Sequence, residues 1–83
     1  MFYVYVIQNE REEFYLGYTT NLFNRLSAHN DGLNQSTKNH KWVLVYYEAY
    51  VNERYAYKRE QTLKKNRRMK TLLLKRVKES LSN

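Results

Sequence analysis

The sequence predicts a mixed α/β domain of the α+β type, a small sheet flanked by helices, and two kinds of patterning carry that prediction. Three runs are dense in aromatic and β-branched residues: Phe2 to Ile7, Glu13 to Tyr18 and Trp42 to Tyr50. That is the composition of strands. Between and after them, stripes recur at three-and-four spacing: Leu22, Leu26 and His29; Ala56, Glu60 and Leu63; then Leu72, Leu73, Leu74, Val77 and Leu81. That spacing belongs to helices. A chain of 83 residues has material for one modest core, so a single domain over residues 1–83 is expected.

The first run is apolar on both alternating positions, which predicts a strand buried on both faces and central in its sheet. Asn9 to Glu12 is short and polar, and the strand pattern resumes at Glu13, so the two runs pair as an antiparallel hairpin that brings Tyr5 and Tyr15 near one another. Parity does not decide whether they share a face, because a loop lies between them. Thr19, Thr20 and Asn21 offer N-cap oxygens for a first helix over about residues 20–30, and Asp31-Gly32 supplies its stop. Arg25 and His29 stand four apart on that helix and point into one region. Residues 34–41 have no apolar period and are expected to form an exposed loop, a candidate substrate contact. After the third strand, Asn52 caps a second helix whose inner stripe includes Glu60, an acid that is costly there unless paired, hydrogen-bonded or bound to a metal. The last helix turns its apolar side to the sheet, and a break between the two helices is expected near residues 66–69.

Composition narrows the function classes. The absence of cysteine rules out a disulfide framework and a thiolate zinc site. The opening Met-Phe-Tyr-Val-Tyr-Val-Ile has no basic leader region and is far shorter than the roughly 20 apolar residues of a membrane span. A soluble cytoplasmic protein with no membrane partner is the expectation. The net charge of +7 is unevenly placed: residues 1–50 carry four Lys/Arg against five Asp/Glu, and residues 51–83 carry eleven against three. Lys64, Lys65, Arg67, Arg68 and Lys70 are the dense part of this series. Such asymmetry favours a polyanionic partner, most often nucleic acid, although a solvated helix face has the same composition.

Tyr5, Tyr15, Arg25, His29 and Glu60 form a candidate catalytic set. Phosphodiester hydrolysis assisted by a metal needs a metal-binding carboxylate, a proton acceptor and a cation to balance charge growing on phosphate. Each residue also has an ordinary role open to it. The tyrosines suit a small sheet that buries rings and wets hydroxyls. Arg25 could be a solvated helix residue, His29 a capping group, and Glu60 half of an ion pair with Lys64 or Arg59.

The order and spacing of the five resemble the GIY-YIG nuclease superfamily. The paired tripeptides read Tyr3-Val4-Tyr5 and Tyr15-Leu16-Gly17, followed by Arg25, His29 and the segment Lys58-Arg59-Glu60-Gln61-Thr62-Leu63-Lys64. In length and in the Gly17-Tyr18-Thr19 extension the chain is most similar to the small stand-alone, UPF0213-like branch, itself similar to the nuclease domain of the bacterial excinuclease. The resemblance implies a three-stranded antiparallel sheet flanked by helices. It also implies that Glu60 holds Mg²⁺ or Mn²⁺, that Tyr5 accepts a proton from the attacking water or positions it, and that Arg25 steadies the pentacovalent phosphate. Tyr15 would orient water or phosphate, and Gly17 would let the backbone turn closely beneath the site. Free tyrosine titrates near 10, so Tyr5 would need a lowered value or a relay through His29. Tyr3 stands where the family has glycine, and Leu72 where family nucleases often carry asparagine.

The function expected is a divalent-metal-dependent endonuclease acting on DNA rather than RNA, structure-specific in repair or recombination, with a homodimer or protein partner supplying specificity. The alternative is a nucleic-acid-binding module of the same fold without chemistry. A third reading, an interaction protein using its tyrosine-rich surface, predicts no retention of nucleic acid at low salt.

Overall fold

β1 (Phe2–Asn9) is the middle strand of a three-stranded antiparallel sheet, with β2 (Phe14–Thr19) on one side and β3 (Trp42–Tyr50) on the other. The computed structural model describes residues 1–82. β1 is central because its side chains find cover on both faces, as its unbroken apolar pattern requires: Val4 to Ile7 are all buried. Val4 and Val6 point to one layer, with Leu16, Ala56, Leu63, Leu73 and Val77. Tyr5 and Ile7 point to the other, with Trp42, Tyr15, Leu22 and Leu26. So α1 (Leu22–Asn30) packs on one face, while α2 (Glu53–Lys65) and α3 (Arg67–Leu81) pack on the opposite one.

Local signals account for the element ends. Asn21 accepts a hydrogen bond from the Asn24 N–H at 3.0 Å and starts α1, which stops one residue before Asp31 and two before Gly32, whose φ of 73° is the left-handed value glycine tolerates. Asn52 caps α2 by accepting from Arg54. Asn66 both ends α2 and begins α3: its N–H donates to the Thr62 carbonyl at 2.8 Å, and its side chain accepts from the Met69 N–H at 3.1 Å. Its extended backbone separates the helices without proline or glycine. On α3 the expected apolar stripe narrows to Leu73 and Val77, with Leu74 at its margin; Leu72 and Leu81 are exposed.

The stretch 34–41 departs from the exposed loop expected of it. Gln35–Thr37 form one 3₁₀ turn, and Thr37 is completely buried. Its carbonyl accepts the Trp42 indole N–H at 2.9 Å, so the turn folds inward to satisfy a buried indole. A polar run without period gave no sign of this, because the contact comes from the next strand. No helix among the described residues is long and apolar enough to cross a membrane.

Candidate active site

The register of the hairpin places the two tyrosines. Tyr5 pairs with Gly17 and Ile7 with Tyr15, so Tyr5 and Tyr15 share a face as diagonal neighbours, the one covered by α1. The ring of Tyr5 lies over Gly17: a Cβ on Gly17 would stand within 2.8 Å of its Cε2, and closer still to Cζ and Oη. Gly17 thus serves the site from mid-strand, by leaving room for a phenol, and not through the close turn expected of it.

The Tyr5 hydroxyl meets both candidate residues of α1. Arg25 Nε donates to Tyr5 Oη at 3.1 Å, and His29 Nε2 lies 2.7 Å from the same oxygen. Four residues of helix bring both side chains back to one point. Tyr5 and His29 are each 1 % exposed, and the Tyr15 ring packs edge-on against the imidazole with centroids 5.0 Å apart. His29 Nδ1 is in turn 2.7 Å from Thr37 Oγ1. His29 is therefore neither a capping group nor a surface group.

Burial pushes the Tyr5 phenol up, and the hydrogen bond and charge of Arg25 only partly counter it. Burial, assisted by the Arg25 charge, holds the His29 imidazole below its ordinary value of 6.5. At neutral pH the pair is thus a protonated phenol facing a neutral imidazole. Arg25 is held charged more firmly than usual, first by its hydrogen bond to Tyr5.

Glu60 enters from the other helical layer. It is 7 % exposed, and its charge reaches both Tyr5 and Tyr18. Oε1 accepts from Gln61 Nε2 at 2.8 Å, and Oε2 faces Lys64 Nζ at 3.2 Å. Of the two cations considered as its partner, Lys64 takes the role; Arg59 turns away to Glu48, with Nε 2.9 Å from Oε1. Among the described residues no three His, Cys, Asp or Glu side chains converge. A cation here would have Glu60 as its one carboxylate. That donor fits Mg²⁺ or Mn²⁺, which accept one hard oxygen from protein and fill the shell with water and phosphate. The exposed Lys64 ammonium already occupies a cation's place beside Oε2, and its long stem lets it move aside.

Lys64 Nζ also lies 6.0 Å from the Tyr15 ring centroid. Lys65, Arg67, Arg68 and Lys70 follow it around the α2–α3 corner, all exposed. Lys64 thereby joins the basic corner to the tyrosine cluster. Leu72, at the position where family nucleases often carry asparagine, is 57 % exposed beside Arg59 and Arg76. Tyr3, in the place of the family's glycine, packs edge-on against Tyr47 of β3. Thr37 was not among the candidate residues; a threonine five residues before the first residue of a strand is no recognisable signal.

A hairpin tyrosine joined to an arginine and a histidine one helical turn apart, with a glutamate from a later helix, defines a class. The family model described as the GIY-YIG catalytic domain matches residues 1–72, and the chain belongs to that family. Within it, the chain is similar to UPF0213 proteins. That of Clostridium perfringens is 38 % identical over 84 residues, covering 95 % of this chain and 90 % of the relative. That of Pediococcus pentosaceus is 38 % identical over 85 residues, covering 99 % and 90 %. No solved structure matches the chain.

Proposed function

We propose that this domain is a divalent-metal-dependent endonuclease that hydrolyses DNA phosphodiester bonds, selecting its substrate by shape, as in repair or recombination. The observation that carries the reading is the convergence of Arg25 Nε and His29 Nε2 on the one buried hydroxyl of Tyr5. A tyrosine with a raised pKa is a poor base by itself. Its proton, however, has a neutral acceptor 2.7 Å away. As the attacking water gives a proton to Tyr5 Oη, the phenolic proton passes to His29 Nε2, so Tyr5 stays neutral and the imidazole becomes charged.

Arg25 balances the negative charge that grows on the phosphate. Its Nε holds Tyr5, and the far edge of the guanidinium is the fork that grips phosphate oxygens. Tyr15 packs on the imidazole and orients the water or the phosphate. Mg²⁺ or Mn²⁺, when bound at Glu60, would polarise the phosphate and stabilise the leaving oxygen. Lys64, Lys65, Arg67, Arg68 and Lys70 provide the sequence-independent grip on the backbone. So small a domain makes few base contacts, which leaves specificity to substrate shape, a second copy or a partner protein.

The test is cleavage of labelled single-stranded, duplex, nicked, flapped and four-way DNA with Mg²⁺ or Mn²⁺, comparing the wild type with Arg25→Ala and Glu60→Gln. Metal-dependent cutting by the wild type, abolished by both substitutions while binding persists, is the expected result. Equal binding by all three proteins with no cutting by any would make the domain a binding module instead.

A further inference from the structure

The buried end of the hydrogen-bond chain lies in the turn that the polar loop conceals. Thr37 is 0 % exposed, and its Oγ1 stands 2.7 Å from His29 Nδ1 and 3.4 Å from the Asn34 carbonyl oxygen. Its carbonyl accepts the Trp42 indole N–H, and its own N–H donates to the Asn34 carbonyl at 3.2 Å. The threonine is therefore held at both backbone ends, and its hydroxyl has little freedom.

We propose that Thr37 is a positioning residue that sets the tautomer of His29, keeping the hydrogen on Nδ1 so that Nε2 faces Tyr5 as an acceptor. The role rests on the nuclease reading of Tyr5 and His29. Its argument is one of hydrogen-bond direction, since imidazole hydrogens follow from the surrounding donors and acceptors. Arg25 can only donate, so Tyr5 Oη accepts from it, and the phenolic hydrogen goes to the acceptor within reach, His29 Nε2. Nε2 then carries no hydrogen, and Nδ1 carries it. At the other end the Asn34 carbonyl can only accept, so the Thr37 hydroxyl hydrogen turns toward it and leaves a lone pair for Nδ1–H. Both ends of the chain impose the same direction, from Arg25 through Tyr5, His29 and Thr37 to Asn34.

The opposite tautomer would disable the relay. A hydrogen on Nε2 would point at Tyr5 Oη, which already accepts from Arg25, and the phenolic proton would have no acceptor. When His29 takes up a proton during turnover, Nδ1–H remains bonded to Thr37, so the imidazolium forms without moving the ring. The charged or titratable groups facing His29 are Arg25 on its own helix, Tyr5 of β1 and Tyr15 of β2; Trp42 faces it from β3.

Imidazole ¹⁵N NMR of the folded protein at pH 8, without metal or DNA, reads the tautomer directly in the wild type, Thr37→Ser and Thr37→Val. The wild type and the serine variant are expected to carry the hydrogen on Nδ1, and the valine variant to shift toward Nε2–H. In cleavage assays Thr37→Val should lose kcat by about 100-fold, the scale of general-base assistance, with KM changed less than about 2-fold, and Thr37→Ser should recover most of that loss. An Nε2–H tautomer in the wild type overturns the proposal even if the valine variant fails to fold, and so does an unchanged Nδ1–H tautomer in Thr37→Val. A tautomer that moves as expected in a protein that cuts nothing supports the role of Thr37 and refutes the nuclease reading alone.

Discussion

The phenol of Tyr5 occupies the space that a side chain at position 17 would need. These residues are cross-strand partners, and the strand opposite Tyr5 is bare at that position. The ring crosses above Gly17 and carries its hydroxyl to Arg25 and His29 on α1. A glycine here is thus part of how the hydroxyl is aimed.

Gly17→Ala should separate folding from aim. The new methyl must displace the Tyr5 ring, at an overpacking cost of about 1–3 kcal/mol. Moving the hydroxyl by about 1 Å should lower cleavage by roughly 100-fold. Denaturant titration and single-turnover cleavage check the two effects. An alanine variant with wild-type activity would show that the ring has another place to go.

Stability should fall in acid through His29. Its folded-state pKa lies below 6.5, so the folded state binds fewer protons than the unfolded chain, and the contribution is complete above about pH 6.5. It is lost as pH falls through the folded-state value. Urea midpoints between pH 7 and 5 should therefore decline in the wild type and decline less in His29→Gln. Parallel curves would mean that His29 titrates alike in both states.

A second acid transition should lie lower and belong to Glu48. Burial pushes this carboxyl up, but Arg59 and the hydroxyls of Tyr46 and Tyr50 outweigh it and hold it below 4.5. In the same network the Tyr46 phenol is pushed up to about 12 by burial and by its bond to Glu48. Removing the acid strands one guanidinium and two phenols. Glu48→Ala should cost about 2 kcal/mol, less than the 3–5 kcal/mol of a fully buried pair because Arg59 keeps solvent contact. It should also remove the destabilisation expected below pH 4.5, where the contribution is lost in the wild type. Thermal melts across that range test both.

Binding to duplex DNA should weaken steeply with salt, through the α2–α3 corner. Each phosphate neutralised contributes a slope of about −0.9 in log K against log salt, so Lys65→Ala combined with Arg67→Ala should make the slope shallower by about 1.8. Fluorescence anisotropy at several salt concentrations measures it. An unchanged slope would place the DNA elsewhere on the protein.

Much of this protein was legible in its sequence because the information was local. Two hydrophobic periods named the strands and helices, the Thr19–Asn21 run and Asn52 marked helix starts, and the unbroken apolar run of Phe2–Ile7 made β1 central. The four-residue interval between Arg25 and His29 was enough to aim them at one place, and Glu60 stood out as an acid on an inner stripe. These follow from backbone geometry over a few residues. The burial of Thr37, the clearance over Gly17 and the choice of Lys64 over Arg59 as partner of Glu60 did not follow in that way. Each is decided by a side chain from another element: the Trp42 indole draws in the turn, the Tyr5 ring covers the glycine, and Glu48 of β3 claims Arg59. Buried polar groups must find partners wherever packing brings them, so the direction of the chain from Arg25 to Asn34 exists only once the sheet, α1 and the 3₁₀ turn have come together.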